Sequence, residues 1–94
     1  MMDAQTFANV FDAIADTPAE AANMKARAEL LSALRSRVTG WGLPQEAAAK
    51  RLGITRPRLN DLLRGKLAKF SLDALVNLAS AAGLALEIKV ADAA

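Results

Sequence analysis

The chain has 94 residues, 53% of them hydrophobic, and a net charge of +2, which suits one folded domain with a single core and is too apolar for a disordered chain. It contains neither Cys nor His, which excludes disulfides, thiolate nucleophiles, the usual zinc ligand sets and imidazole general bases; we therefore expect no enzyme, no metal and no cofactor. No apolar run approaches the ~18 residues of a membrane span, and Met1 to Phe11 lacks the basic start and apolar stretch of a signal peptide, so a cytoplasmic protein is expected.

The small net charge hides a strong asymmetry. Residues 1–23 carry four acids and no base, residues 24–70 carry eleven Lys and Arg against Glu29, Glu46 and Asp61, and residues 71–94 carry Lys89 against three acids. The middle half of the chain is therefore strongly basic, as a phosphate-binding surface requires. The same charges would also suit a solvated helix face.

Abundant Ala and Leu favour helices. Phe7, Val10, Phe11 and Ile14 recur at helical spacing and predict one or two amphipathic turns. Thr17-Pro18-Ala19-Glu20 reads as a helix start, with Thr17 as cap, Pro18 at the first position and Glu20 completing a capping box. The helix that follows runs to Thr39-Gly40. Its apolar stripe is Met24, Ala28, Leu31, Leu34 and Val38, while Lys25, Arg27, Arg35 and Arg37 suit solvent. Trp41 lies just past the end, placed to close one side of the core.

Pro44 opens a shorter helix that stops at Leu52-Gly53. Thr55 is the cap of a third, which tolerates Pro57 in its first turn and ends at Gly65. Ser71 caps a fourth helix, Leu72 to Ala82, stopped by Gly83. The period then changes: Leu84, Leu86, Ile88 and Val90 alternate with Ala85, Glu87 and Lys89, the repeat of a half-buried strand. A lone strand needs a partner, and the simplest is the same strand of a second copy. Centring an antiparallel pair on Ile88 sets Glu87 opposite the partner copy's Lys89, whereas centring it on either charge opposes like charges.

Residues 44–66 read as two short helices joined by a tight turn at Gly53, with Ile54 as an apolar plug. Ala48, Leu52, Ile54, Leu59 and Leu62 are spaced to pack the pair, and Ala47, Ala48 and Ala49 permit close approach. Arg56, Arg58, Asn60, Asp61 and Arg64 are left on the outer side of the later helix, as a helix that enters the DNA major groove requires. Arg64, Lys66 and Lys69 surround its end and read best as phosphate contacts.

The run Gln45-x-x-Ala48-Ala49-x-x-Leu52-Gly53-Ile54-Thr55, followed by Leu59-Asn60-x-Leu62 and Gly65-Lys66, resembles the Xre, or phage-repressor, type of helix-turn-helix. The wider set Val10-Phe11-Asp12-Ala13, Asp16-Thr17-Pro18, Glu20-Ala21-Ala22-Asn23, Trp41-Gly42-Leu43 and Phe70-Ser71-Leu72-Asp73-x-Leu75-Val76 resembles the small Xre-type antitoxins of HigA kind. The resemblance implies an all-α, five-helix lambda-repressor-like domain over residues 18–83. An acidic N-terminal helical extension (1–17) would precede it, and a C-terminal dimerisation β-strand and tail (84–94) would follow, with Leu84, Leu86, Glu87, Ile88, Lys89 and Val90 making the contact.

The resemblance also implies site roles. Gln45 matches a phosphate-contacting glutamine, and Arg56 the leading base-reading position, where a bidentate contact to guanine is expected. Pro57 offers apolar contact. Arg58 and Asn60 suit backbone or bases, and Asp61 suits either a cytosine or a neighbouring Arg. Pro44 departs from the family's Ser or Thr and removes a side-chain cap. The function implied is a homodimeric operator-binding repressor that is also the antitoxin of a RelE-like or HigB-like RNase toxin; the alternative is a stand-alone Xre-type regulator. Phe7, Val10, Phe11 and Ile14 would contact the basic toxin or cover the protein's own core.

Overall fold

The computed structural model describes residues 17–92. It contains four α-helices and a single 3-10 turn: α1 (Pro18–Trp41), α2 (Gln45–Leu52), α3 (Arg56–Leu63), the 3-10 turn Leu67–Lys69, and α4 (Leu72–Ala81). This corrects the expectation of five helices with a C-terminal β-strand. The proposed N-terminal helical extension, including Phe7, Val10, Phe11 and Ile14, lies outside the described residues.

The helix starts follow from local chemistry. Thr17 Oγ1 accepts the Glu20 amide at 3.0 Å, Thr55 Oγ1 accepts the Arg58 amide at 3.3 Å, and Ser71 Oγ accepts the Ala74 amide at 3.1 Å. Each bond satisfies one of the amides that a helix start leaves without an acceptor. Pro44 occupies the cap position of α2 and makes no side-chain cap bond, as its ring requires. The stops are equally local. After α2, the Gly53 amide reaches Lys50 O at 3.1 Å and the Ile54 amide reaches Ala49 O at 3.0 Å, a Schellman motif. Gly53 adopts φ +74° there, a conformation that a Cβ disfavours. The same bond pattern ends α3 at Gly65-Lys66 and α4 at Gly83-Leu84.

The long α1 lies across the other helices and buries Leu31, Leu34 and Val38. These meet Ala48, Ala49 and Leu52 of α2, Leu59 and Leu62 of α3, Phe70 of the connection and Leu75, Leu78 and Ala79 of α4 in one core. Phe70, Leu34, Leu59, Leu62 and Leu75 are its largest fully buried side chains. No polar or charged residue is buried among the described residues, so tight packing and apolar burial hold the fold. Met24 and Ala28 of the expected stripe are only half-buried, and Ala47 is exposed. Trp41 packs against the core as expected, but α1 runs on through Gly40 to Trp41 and is capped by left-handed Gly42, so Trp41 ends the helix instead of following it.

After Gly83 the chain is irregular to Asp92 and forms no strand. The Leu84 amide is taken by Ala79 O at 2.9 Å, and the side chain of Leu84 packs on the core. Residues 85–89 then border a shallow groove between α1 and α4, with Ala26, Leu30, Ala33, Leu72 and Val76. The alternating pattern is present, but among the described residues no other extended segment supplies the missing ladder bonds. Ile88 is consequently 74% exposed and Val90 90% exposed.

Candidate nucleic-acid interface

α2, the Gly53 turn and α3 form a helix-turn-helix. Ala48, Ala49 and Leu52 face Leu59 and Leu62, all of them buried, and Ile54 plugs the turn from a half-buried position. Small side chains on α2 allow the short helices to approach closely, and α1 packs chiefly on α4, touching the 3-10 turn and α3 as well. With Leu59 and Leu62 turned inward, helical spacing leaves Arg56, Asn60 and Arg64 in one row, each a turn apart.

The residues singled out from the sequence divide by what they touch. Arg56, Pro57 and Arg64 are exposed, as is Gln45 in the first turn of α2. Asn60 is half-buried, and its carbonyl accepts the Arg64 amide at 3.0 Å. Arg58 is engaged within the protein: its Nη1 donates to Lys69 O at 2.7 Å, and its guanidinium lies 4.1 Å from the centroid of the Phe70 ring. Asp61 pairs with Lys66 Nζ at 3.4 Å and Lys69 Nζ at 3.8 Å, rather than with an Arg. Its backbone carbonyl also accepts the Lys66 amide at 3.1 Å.

Lys66 and Lys69 are thereby gathered at the end of α3, their ammonium groups still open to solvent. Both ion pairs are partly exposed, so they orient side chains more than they stabilise the fold. Arg35 reaches the same end from α1, its guanidinium lying over Gly65. Arg35, Arg64, Lys66 and Lys69 therefore concentrate positive charge where α3 ends, with Arg56 at its start. Such a strip lets cations flank a groove-facing helix and neutralise phosphates beside it.

Three side chains of this region escaped sequence reasoning. Arg27, placed by periodicity on the solvent face of α1, is half-buried and donates through Nη1 to Leu67 O at 3.3 Å and Phe70 O at 3.2 Å. Arg51 of α2 lies 4.2 Å from the Trp41 ring centroid and covers the joint between α1 and α2. Phe70 serves as the platform for Arg58. Asn23 Oδ1, four positions earlier, accepts from Arg27 Nε at 2.7 Å, whereas the carbonyl partners of Arg27 lie 40 and 43 positions away, beyond any local pattern.

Among the described residues there is no acidic cluster suited to a metal ion and no helix long and apolar enough to cross a membrane. A family model described as a helix-turn-helix domain matches residues 13–91. No curated protein matches the chain.

Proposed function

This chain belongs to the helix-turn-helix domain family, and we propose that it is a sequence-specific transcriptional repressor that places α3 in the major groove of its own operator. The observation that carries the reading is the row of exposed Arg56, half-buried Asn60 and exposed Arg64 along α3 and its C-terminal cap, backed by a buried Leu59–Leu62 face and flanked by Lys66 and Lys69. Arg56 reads a base, and Pro57 and Asn60 extend the readout. Gln45, Arg64, Lys66 and Lys69 contact phosphates. Arg58 and Asp61 reach DNA only by giving up the contacts they make in the free protein.

The protein acts as a homodimer in this reading, with one recognition helix per half-site about one duplex turn apart. Leu84, Leu86, Glu87, Ile88, Lys89 and Val90 are assigned to the contact between copies. The exposure of Leu86, Ile88 and Val90 favours this assignment, because apolar side chains in a row on a small protein gain by being covered. The resemblance to HigA-type antitoxins supports a second role, neutralising a RelE-like or HigB-like RNase through the N-terminal segment that holds Phe7, Val10, Phe11 and Ile14. A stand-alone regulator is the alternative, and an adjacent short basic reading frame whose product co-purifies decides between them.

The test of DNA reading is a titration against the DNA upstream of the protein's own gene, with a duplex of arbitrary sequence as reference, for wild type and Arg56→Ala. The expected result is steeply salt-dependent binding, with Arg56→Ala losing roughly 1–3 kcal/mol on the specific site and little on the reference. Equal affinity of the wild type for both duplexes would remove the sequence-specific reading.

A further inference from the structure

The connection from Lys66 to Phe70 leaves α3 carrying two cations assigned to phosphates, and its carbonyls are held from two sides. Arg27 of α1 donates to Leu67 O and Phe70 O at 3.3 and 3.2 Å, and Arg58 of α3 donates to Lys69 O at 2.7 Å. Asn23 Oδ1, one turn before Arg27, accepts from its Nε at 2.7 Å and orients the guanidinium plane. Arg58 also covers the ring of Phe70, whose residue is 1% exposed. Three carbonyls of a short connection thus receive charged donors from two different helices. Hydrogen bonds from a charged donor are about twice as strong as neutral ones.

We infer that Arg27 is a positioning residue of the DNA interface: from α1 it clamps the 66–70 connection against Arg58, so that Lys66 and Lys69 stand at the end of α3 before DNA arrives. This rests on the DNA-binding reading above and extends it to a side chain on a helix outside the helix-turn-helix. The neighbouring bases of α1, Lys25, Arg35 and Arg37, are exposed, whereas Arg27 is half-buried against the connection. Its planar fork serves two carbonyls and Asn23 together, which the single ammonium of a lysine does not reproduce. Holding two lysines in place beforehand lowers the ordering cost of binding. Asp61 completes the arrangement by drawing both ammonium groups toward α3.

Two measurements on the full chain test this. The first is amide hydrogen exchange in the free protein at Lys69 and Phe70, whose amides bond to Lys66 O and Leu67 O. Arg27→Ala and Arg27→Lys are both expected to lower protection there about tenfold, with the amides of Leu34 and Leu75 unchanged. The second is binding to a duplex of arbitrary sequence over a salt series, comparing wild type, Arg27→Lys, the double variant Lys66→Ala/Lys69→Ala, and the triple combination. Arg27→Lys is expected to make the plot of log affinity against log salt shallower by about 1 to 2 units, and the triple variant is expected to bind no worse than the double.

Wild-type protection at Lys69 and Phe70 in Arg27→Lys, or a loss that adds fully to that of the two lysine changes, would overturn the clamp, because Arg27 would then act by charge alone or touch phosphate itself. A wild type without salt-dependent affinity for DNA would overturn the DNA reading and, with it, the positioning role. That failure is distinguishable, because the exchange result separately reports whether Arg27 holds the connection.

Discussion

At the scale of single residues, the arginines of this protein do different work although the sequence presents them alike. Arg56 stands exposed at the start of α3 with no side-chain partner among the described residues, whereas Arg58, two residues on, is spent on Lys69 O and the Phe70 ring. The difference comes from the helix: two positions rotate a side chain by more than half a turn, from the outer face toward the connection that follows α3. Arg56→Lys therefore makes a sharper test than removal of the charge. It keeps a cation but loses the fork that matches guanine. Specific and reference duplexes are expected to converge in affinity while the salt slope stays close to wild type, as read by fluorescence anisotropy.

At the scale of elements, caps and stops decide where helices begin and end, and they are legible because they are local. Thr17, Thr55 and Ser71 cap as their spacing implied, and glycines stand where the chain turns left-handed. Two glycines of similar appearance then behave oppositely. Gly53 sits at φ +74° with open space where a Cβ would fall, so Gly53→Ala meets no clash but carries backbone strain of about 1–2 kcal/mol. Gly40 lies inside α1 with equally open space and no positive φ. Gly40→Ala is expected to stabilise by roughly 0.5–1 kcal/mol through helix propensity and a less free unfolded chain. Thermal melts of the two variants, followed by circular dichroism, should move in opposite directions.

At the scale of the whole molecule, the core of Leu31, Leu34, Leu59, Leu62, Phe70 and Leu75 ties α1 to the helix-turn-helix, and charge is laid over it unevenly. The C-terminal residues are the part of this plan that the described residues leave uncovered: Ile88 and Val90 are exposed, and Glu87 and Lys89 alternate with them. If copies meet here, Ile88→Glu is expected to shift the protein toward monomer in sedimentation equilibrium and to weaken operator binding, while the melting of an already dilute monomer changes little. An unchanged dimer would remove these residues from the contact between copies.

The sequence by itself determined the helix order, the caps, the inward Leu and Ala of α2 and α3, and the basic middle of the chain. Each of these depends on neighbours three or four positions apart or on composition, where period and cap chemistry act without regard to the rest of the fold. Only the tertiary structure decided that Arg27 faces the 66–70 connection instead of solvent, that Arg58 and Asp61 are held within the protein, and that residues 84–92 form no strand within one chain. A guanidinium finds carbonyls 40 positions away only after α1 has packed, and an alternating segment becomes a strand only where another backbone lies beside it. Both outcomes depend on contacts distant along the chain, which no local pattern encodes.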